Sequence, residues 1–230
     1  MAVFGVIMFK HGPLYGNRFE IVSAMEALPL ETGDIVYSAS DAKGPLGIPF
    51  GRLIQRFTRS EYSHATMILR EGGESYAIDV SDWGTRKLRV IDWFDNWEAT
   101  SFCVVRFRDK TPDMERCLSD SILSFLKDDP SYDFNFDDPT AFYCTEAVKH
   151  MCSKCGLDLG GEFLVKEIVP GWFYALILAG NFLTKLVSDA SLPTDRPIAV
   201  VGNEERGMLA SPLTKKIFEY EHKTNNFRLF

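Results

Sequence analysis

The stretch "YSHATMILREGGESYAIDVSDWG", residues 62 to 84, constrains the chain more than any other. Two runs of β-prone residues flank Gly72-Gly73. A two-residue turn between antiparallel strands needs positive φ at its centre, which glycine supplies without steric cost. Closing the turn with Glu71 opposite Glu74 puts Thr66 opposite Asp79 and His64 opposite Ser81. Opposite residues share a face and alternate residues return to it, so His64 and Asp79 become diagonal neighbours on one side of the hairpin. A slip of one residue would turn Asp79 away and make Asp82 the competing partner. The competing reading is a surface hairpin in which His64 is an ordinary exposed residue.

The remaining pattern is one of strands bracketing helices. "GDIVYS" (33 to 38) and "SFCVVRF" (101 to 107) read as strands, the second placing Cys103 on a face with Val105 and Phe107. "FEIVSAMEAL" (19 to 28) suggests a short helix closed by Pro29. "PFGRLIQRFT" (49 to 58) has helical spacing, with Leu53, Ile54 and Phe57 on one face. "MERCLSDSILSFLKDD" (114 to 129) reads as an amphipathic helix with Leu118, Ile122, Phe125 and Leu126 apolar and Cys117 packing beside them. The prediction is an α+β fold, an antiparallel sheet packed against helices. With 230 residues, 46% of them hydrophobic, and no repeat, low-complexity tract or linker, the chain is expected to form one domain over 1–230 that folds without staples.

Composition then removes several function classes. A formal charge of −7 without a basic stripe argues against nucleic acid as a partner. The apolar start "MAVFGVIMFKHGP" lacks a positive n-region and a small-residue cleavage site, so no signal peptide is expected and the protein is expected to be made in the cytoplasm. "IVPGWFYALILAGNFLT" (168 to 184) is uncharged but short for a membrane span and carries Pro170, Gly171 and Gly180. A buried helix or the wall of an apolar groove is the preferred reading, and no integral membrane span is expected.

Five cysteines do not make an even, dense disulfide framework, and folding in a reducing compartment is the simpler expectation. Three of them lie in "FDDPTAFYCTEAVKHMCSKCGL" (136 to 157). After the turn residues "DDPTAF", the positions Cys144, Ala147, Val148, Met151 and Cys155 recur at helical intervals, and Gly156 is a natural stop. Cys144 therefore falls in the first turn, where unpaired N–H groups and the positive end of the helix dipole favour a thiolate. Cys155 at the other end meets the opposite field, and Cys152 and Cys155 are read as structural. His150, Cys152 and Cys155 cannot all converge as tetrahedral zinc ligands from one helix, and a redox C-x-x-C normally opens a helix rather than closing it. No metal or other cofactor is expected.

A "GDI" strand, then "RLIQRFTRSEYSHATMIL", then an acidic residue on the next strand, then an aromatic-aromatic-Cys-Thr-Glu helix start, resembles the circularly permuted branch of the NlpC-type papain-like superfamily, the YiiX-like group in particular. In that branch the histidine strand precedes the cysteine helix, the reverse of ordinary papain-like enzymes. The match covers about residues 30 to 175, including "VPGWFYAL", and leaves 176 to 230 as an extension. Carried over by position, it implies Cys144 as nucleophile, His64 as base and Asp79 as orienting residue, the same three that the hairpin register and the helix start select.

Such a triad implies nucleophilic acyl transfer, with the backbone N–H of Cys144 as oxyanion donor and Tyr62 or Tyr143 as an open choice of side-chain helper. The resemblance implies an amidohydrolase or endopeptidase acting on peptidoglycan peptides. It extends to type VI secretion effectors of the TseH kind, delivered to a rival's periplasm, with an immunity protein or a secretion-machine component as partner. Two alternatives stand beside it: a lipid acyl hydrolase or acyltransferase using the 168–184 segment, and a catalytically silent binding module. "RPIAVVGNEERG" (196 to 207) suggests a strand and turn, and "KKIFEYEHK" (215 to 223) a strand or short helix, to cap the sheet, shape the cleft or dock a partner.

Overall fold

The computed structural model describes residues 28–40, 50–81, 83–96, 99–132, 141–172, 174–175, 178, 196–221 and 226–230. The helix expected over 19 to 28 and the alternative partner Asp82 lie outside these residues.

In chain order the elements are β1 (Ile35–Ser40), α1 (Phe50–Thr58), β2 (His64–Glu71), β3 (Glu74–Ser81), β4 (Gly84–Arg89), α2 (Val90–Asn96) and β5 (Ala99–Phe107). There follow α3 (Pro112–Asp128), α4 (Cys144–Ser153), β6 (Glu162–Leu164), α5 (Val165–Ile168), β7 (Pro197–Ala199), β8 (Thr214–Glu221) and β9 (Asn226–Leu229). Seven strands form one sheet in the order β4-β3-β2-β1-β5-β8-β9, every pairing antiparallel. β6 and β7 form a separate two-stranded ribbon. The architecture is thus α+β, a large antiparallel sheet packed against helices, as the pattern of the sequence predicts.

The β2–β3 hairpin has the expected register, Glu71 opposite Glu74 and Met67 opposite Ile78, with Gly72 and Gly73 at φ of 60° and 86°. A second hairpin, not anticipated, follows at once: β3 turns into β4 with Ser81 opposite Gly84, which sets Arg86 opposite Asp79.

Both faces of the sheet are covered, so its central strands are buried on both sides. On one face Tyr37, Ala65, Met67, Val80, Cys103 and Val105 pack against Leu118, Ile122 and Phe125 of α3 and Ala147, Val148 and Met151 of α4. On the other, Val36, Ile68, Ala77, Phe102, Val104, Phe218 and Tyr220 surround Trp93 of α2. Each valine, leucine, isoleucine, methionine and phenylalanine among them contributes about 1.5–3 kcal/mol through its removal from water. β8, which lies beyond the span of the family resemblance, runs between β5 and β9 and places Phe218 and Tyr220 in this second layer.

Two local expectations are corrected. Cys117, read as packing, and Cys155, read as structural, are joined in a disulfide between α3 and the residues just after α4, against the expectation of a chain without staples folded in a reducing compartment. The pairing follows from the docking of two helices and brings together residues 38 apart in the chain, so helical periodicity within either segment does not reveal it. Within 168 to 184, Trp172 and Leu178 are exposed at 67% and 45%, which argues against the buried-helix alternative and leaves the groove-wall alternative standing. Among the described residues no helix is long and apolar enough to cross a membrane.

Candidate active site

α4 begins at Cys144. Its N-cap, Tyr143, is extended and gives no side-chain cap, so the first-turn amides have neither an acceptor within the helix nor a capping oxygen. The first helical bond runs from the Ala147 amide to the Tyr143 carbonyl. The helix lies across β2, and its start abuts the first residues of that strand, where the Ala65 N–H donates to the Cys144 sulfur.

His64 is the first residue of β2 and is opposite Ser38 of β1. By alternation its side chain belongs with Thr66 and Ile68, on the sheet face away from α4. Its place at the strand's end resolves the apparent conflict, because beyond that end an imidazole can meet both faces. Its Nε2 lies 2.7 Å from Asp79 Oδ1, which leaves Nδ1 for the hydrogen bond with Cys144. The three residues singled out in the sequence therefore converge, Cys144 and Asp79 on opposite sides of one ring.

The protonation pattern follows from this placement. Burial pushes the His64 pKa down, but attraction to Cys144 and the hydrogen bond to Asp79 outweigh it and raise it to about 10. Burial pushes Cys144 up, yet the charge of His64, its hydrogen bond and the Ala65 amide bring the thiol below its ordinary value. Asp79, fully buried, is penalised by desolvation but is held well below the usual carboxylate range by His64, Arg86 and Trp93. An imidazolium–thiolate pair beside an ionised aspartate is the state these interactions favour.

Asp79 is more heavily bonded than the hairpin alone predicts. Oδ1 accepts from His64, from Trp93 Nε1 at 3.1 Å and from Thr66 Oγ1 at 3.4 Å, while Oδ2 accepts from Arg86 Nη2 at 2.7 Å. Arg86 and Trp93 are absent from the sequence reading. The signal for Arg86 is "VSDWGTR": extending the hairpin logic past β3 with Ser81 opposite Gly84 sets residue 86 opposite residue 79. Nothing local marks Trp93, which arrives on α2 from across the sheet face.

The hydroxyls of the two tyrosines offered as oxyanion helpers each have a protein partner. Tyr62 donates to Glu219 Oε1 at 2.9 Å, and the Tyr143 oxygen accepts the Ala199 amide at 2.5 Å. Cys103 and Cys152 are buried, their thiols pushed up by desolvation, Cys103 to about 12. The His150, Cys152, Cys155 group does not converge: Cys155 is in the disulfide and His150 lies against Phe142 and Phe125.

No family model and no curated protein matches the chain. Among solved structures, YiiX of Escherichia coli O157:H7 superposes with a TM-score of 0.66 at 19% identity, over 84% of this chain and 99% of that one. The chain has the fold of YiiX. The likeness is consistent with the YiiX-like group, and it reaches past residue 175, since 84% of 230 residues is about 193. YiiX is described as a metalloprotein. Here one nitrogen of His64 is spent on Asp79, so a single ring nitrogen and a single sulfur face each other, fewer donors than the three or four protein ligands of a zinc site. Among the described residues no group of three or more His, Cys, Asp or Glu side chains is arranged to hold a metal ion. These residues do not fit a metal centre.

Proposed function

We propose that the chain is a cysteine hydrolase of the permuted papain-like type that cleaves amide bonds in the peptides of peptidoglycan. The observation that carries this reading is the His64 imidazole held at 2.7 Å by a buried carboxylate on one nitrogen and hydrogen-bonded to the Cys144 sulfur on the other. The thiolate attacks the amide carbon, forming the C–S bond and moving the carbonyl π electrons onto oxygen. The Cys144 N–H, free of any helical acceptor, receives that charge. His64 gives its proton to the departing amine as the C–N bond breaks. Water then attacks the thioester, His64 takes its proton, and the carboxylic acid leaves as the thiolate returns. Asp79 keeps the ring oriented and stabilises its positive charge.

The substrate is tested with purified protein and isolated peptidoglycan sacculi, reading new amino termini and muropeptide profiles. Release is expected from the wild type, with Cys144→Ala and His64→Ala reduced about a thousandfold or more. Digestion that persists in Cys144→Ala would rule out the cysteine route. The exposed Trp172 and Leu178 in the apolar 168–184 run favour lipid acyl chemistry as a second reading. Fatty-acid release from phospholipid vesicles without muropeptide change would select it.

Biologically, the reading is an antibacterial effector made in the cytoplasm and delivered to a target periplasm, paired with an immunity protein. Periplasmic expression that lyses cells only when Cys144 is intact, while cytoplasmic expression is tolerated, is the outcome this predicts.

A further inference from the structure

The candidate site holds two acidic groups, Cys144 and Asp79, on either side of one imidazole. If both are anionic, His64 alone cannot neutralise them. Asp79 is 0% exposed and His64 5%, so a net negative charge there would be poorly solvated and costly.

Arg86 supplies the missing charge. Its Nη2 donates to Asp79 Oδ2 at 2.7 Å, on the carboxylate oxygen that His64 does not use, and it also reaches Ser81 Oγ at 3.4 Å. The centroid of the exposed Trp83 indole lies 6.0 Å from the guanidinium carbon. Asp79 Oδ1 already has donors from β2 and α2, so the carboxylate would stay in place without Arg86. What Arg86 adds is charge rather than location.

Resting on the cysteine-hydrolase reading above, we infer that Arg86 is a positioning residue acting through Asp79: its guanidinium is the second cation that allows Cys144 and Asp79 to be anionic together. The charged and titratable groups facing the carboxylate among the described residues are His64 from β2 and Arg86 from β4, with Cys144 of α4 reached through the imidazole. α2 contributes the uncharged indole of Trp93, and β1 sets Ser38 opposite His64. Removing the positive charge leaves a buried net charge of minus one in the thiolate state. The site relieves it by protonating the sulfur, so thiolate formation moves to higher pH.

The test is the rate of Cys144 alkylation by iodoacetamide from acid to alkaline pH on the full-length protein, corrected with Cys144→Ala. Wild type should reach a plateau well below the range of a free thiol. Arg86→Gln, which can still hydrogen-bond Asp79 but carries no charge, should move the rise upward by about one pH unit, roughly tenfold in rate on that limb. Arg86→Lys should hold it near the wild-type position. Loss of packing alone would lower thermal stability and leave the limb in place.

Should Arg86→Gln fail to fold, Asp79→Asn combined with Arg86→Gln decides. That pair restores neutrality, so its limb should return to within about half a unit of wild type, and a limb displaced upward would overturn the inference. A folded Arg86→Gln protein titrating like wild type would overturn it too. A wild type that itself alkylates like an ordinary thiol would instead remove the cysteine–histidine pair on which the inference rests.

Discussion

Tyr143 and Ala199 meet where the chain turns into the cysteine helix: the Ala199 amide donates to the Tyr143 phenol oxygen at 2.5 Å. Two residues on, the Thr145 hydroxyl donates to the Ala199 carbonyl at 2.9 Å. The neighbours of Cys144 on both sides are thereby tied to one residue of β7, although β7 is more than fifty residues further along the chain. The close approach of the segment after β7 depends on glycine. Gly202 has a φ of +70°, and a Cβ there would fall 2.0 Å from the Arg206 carbonyl oxygen.

Thr145→Val keeps the shape and removes one buried hydrogen bond, leaving the Ala199 carbonyl without this donor. A stability loss of about 1–3 kcal/mol is expected in urea denaturation. Amide hydrolysis should slow with little change in KM, because the start of α4 is less firmly placed while substrate contacts remain.

The alkaline side of the pH profile is set by His64. Its pKa, raised to about 10, means the imidazolium persists through neutrality and is lost as pH rises through that value. If the chain is the cysteine hydrolase proposed above, the proton for the leaving amine comes from this ring, and kcat for an amide substrate should fall above about pH 10. Alkylation of Cys144, which needs no proton donor, should not fall there. Parallel decline of both rates would contradict this assignment of the acid.

Asp79→Asn should be strongly destabilising, by about 3–5 kcal/mol, because it leaves the buried His64 imidazolium and the partly exposed Arg86 guanidinium facing a neutral amide. The sign of the pH dependence follows from the depressed folded-state pKa. The carboxylate's contribution is fully present above its unfolded value of about 3.9 and is lost as pH falls toward the folded value. The stability gap between wild type and Asp79→Asn should therefore narrow in acid, and a gap independent of pH would show that charge is not its source.

The Cys117–Cys155 bridge closes a loop of 38 residues that contains the start of α4 and Cys144. Cys117→Ser should lower stability by about 2–4 kcal/mol, measured under oxidising conditions. Under a strong reductant the variant and wild type should converge. The bridge anchors the far end of the cysteine helix, so alkylation of Cys144 should retain its rate while hydrogen exchange at Met151 and Cys152 accelerates.

Local pattern by itself pointed to the β2–β3 hairpin with Glu71 opposite Glu74 and to a helix that starts at Cys144, and so offered the three residues that meet while leaving Asp82 as a competing partner. Each rests on short-range rules: glycines that accept positive φ, a side-chain period of two along a strand, and an uncapped helix start that favours a thiolate. Tertiary structure alone decided that Trp93 completes the shell of Asp79, that the Tyr62 and Tyr143 hydroxyls meet Glu219 and Ala199, that Cys117 finds Cys155, and that β7 grips both neighbours of Cys144. Those contacts join residues whose spacing carries no periodic signal. Their partners are chosen by how layers dock, which depends on the summed burial of two hydrophobic faces rather than on any one segment.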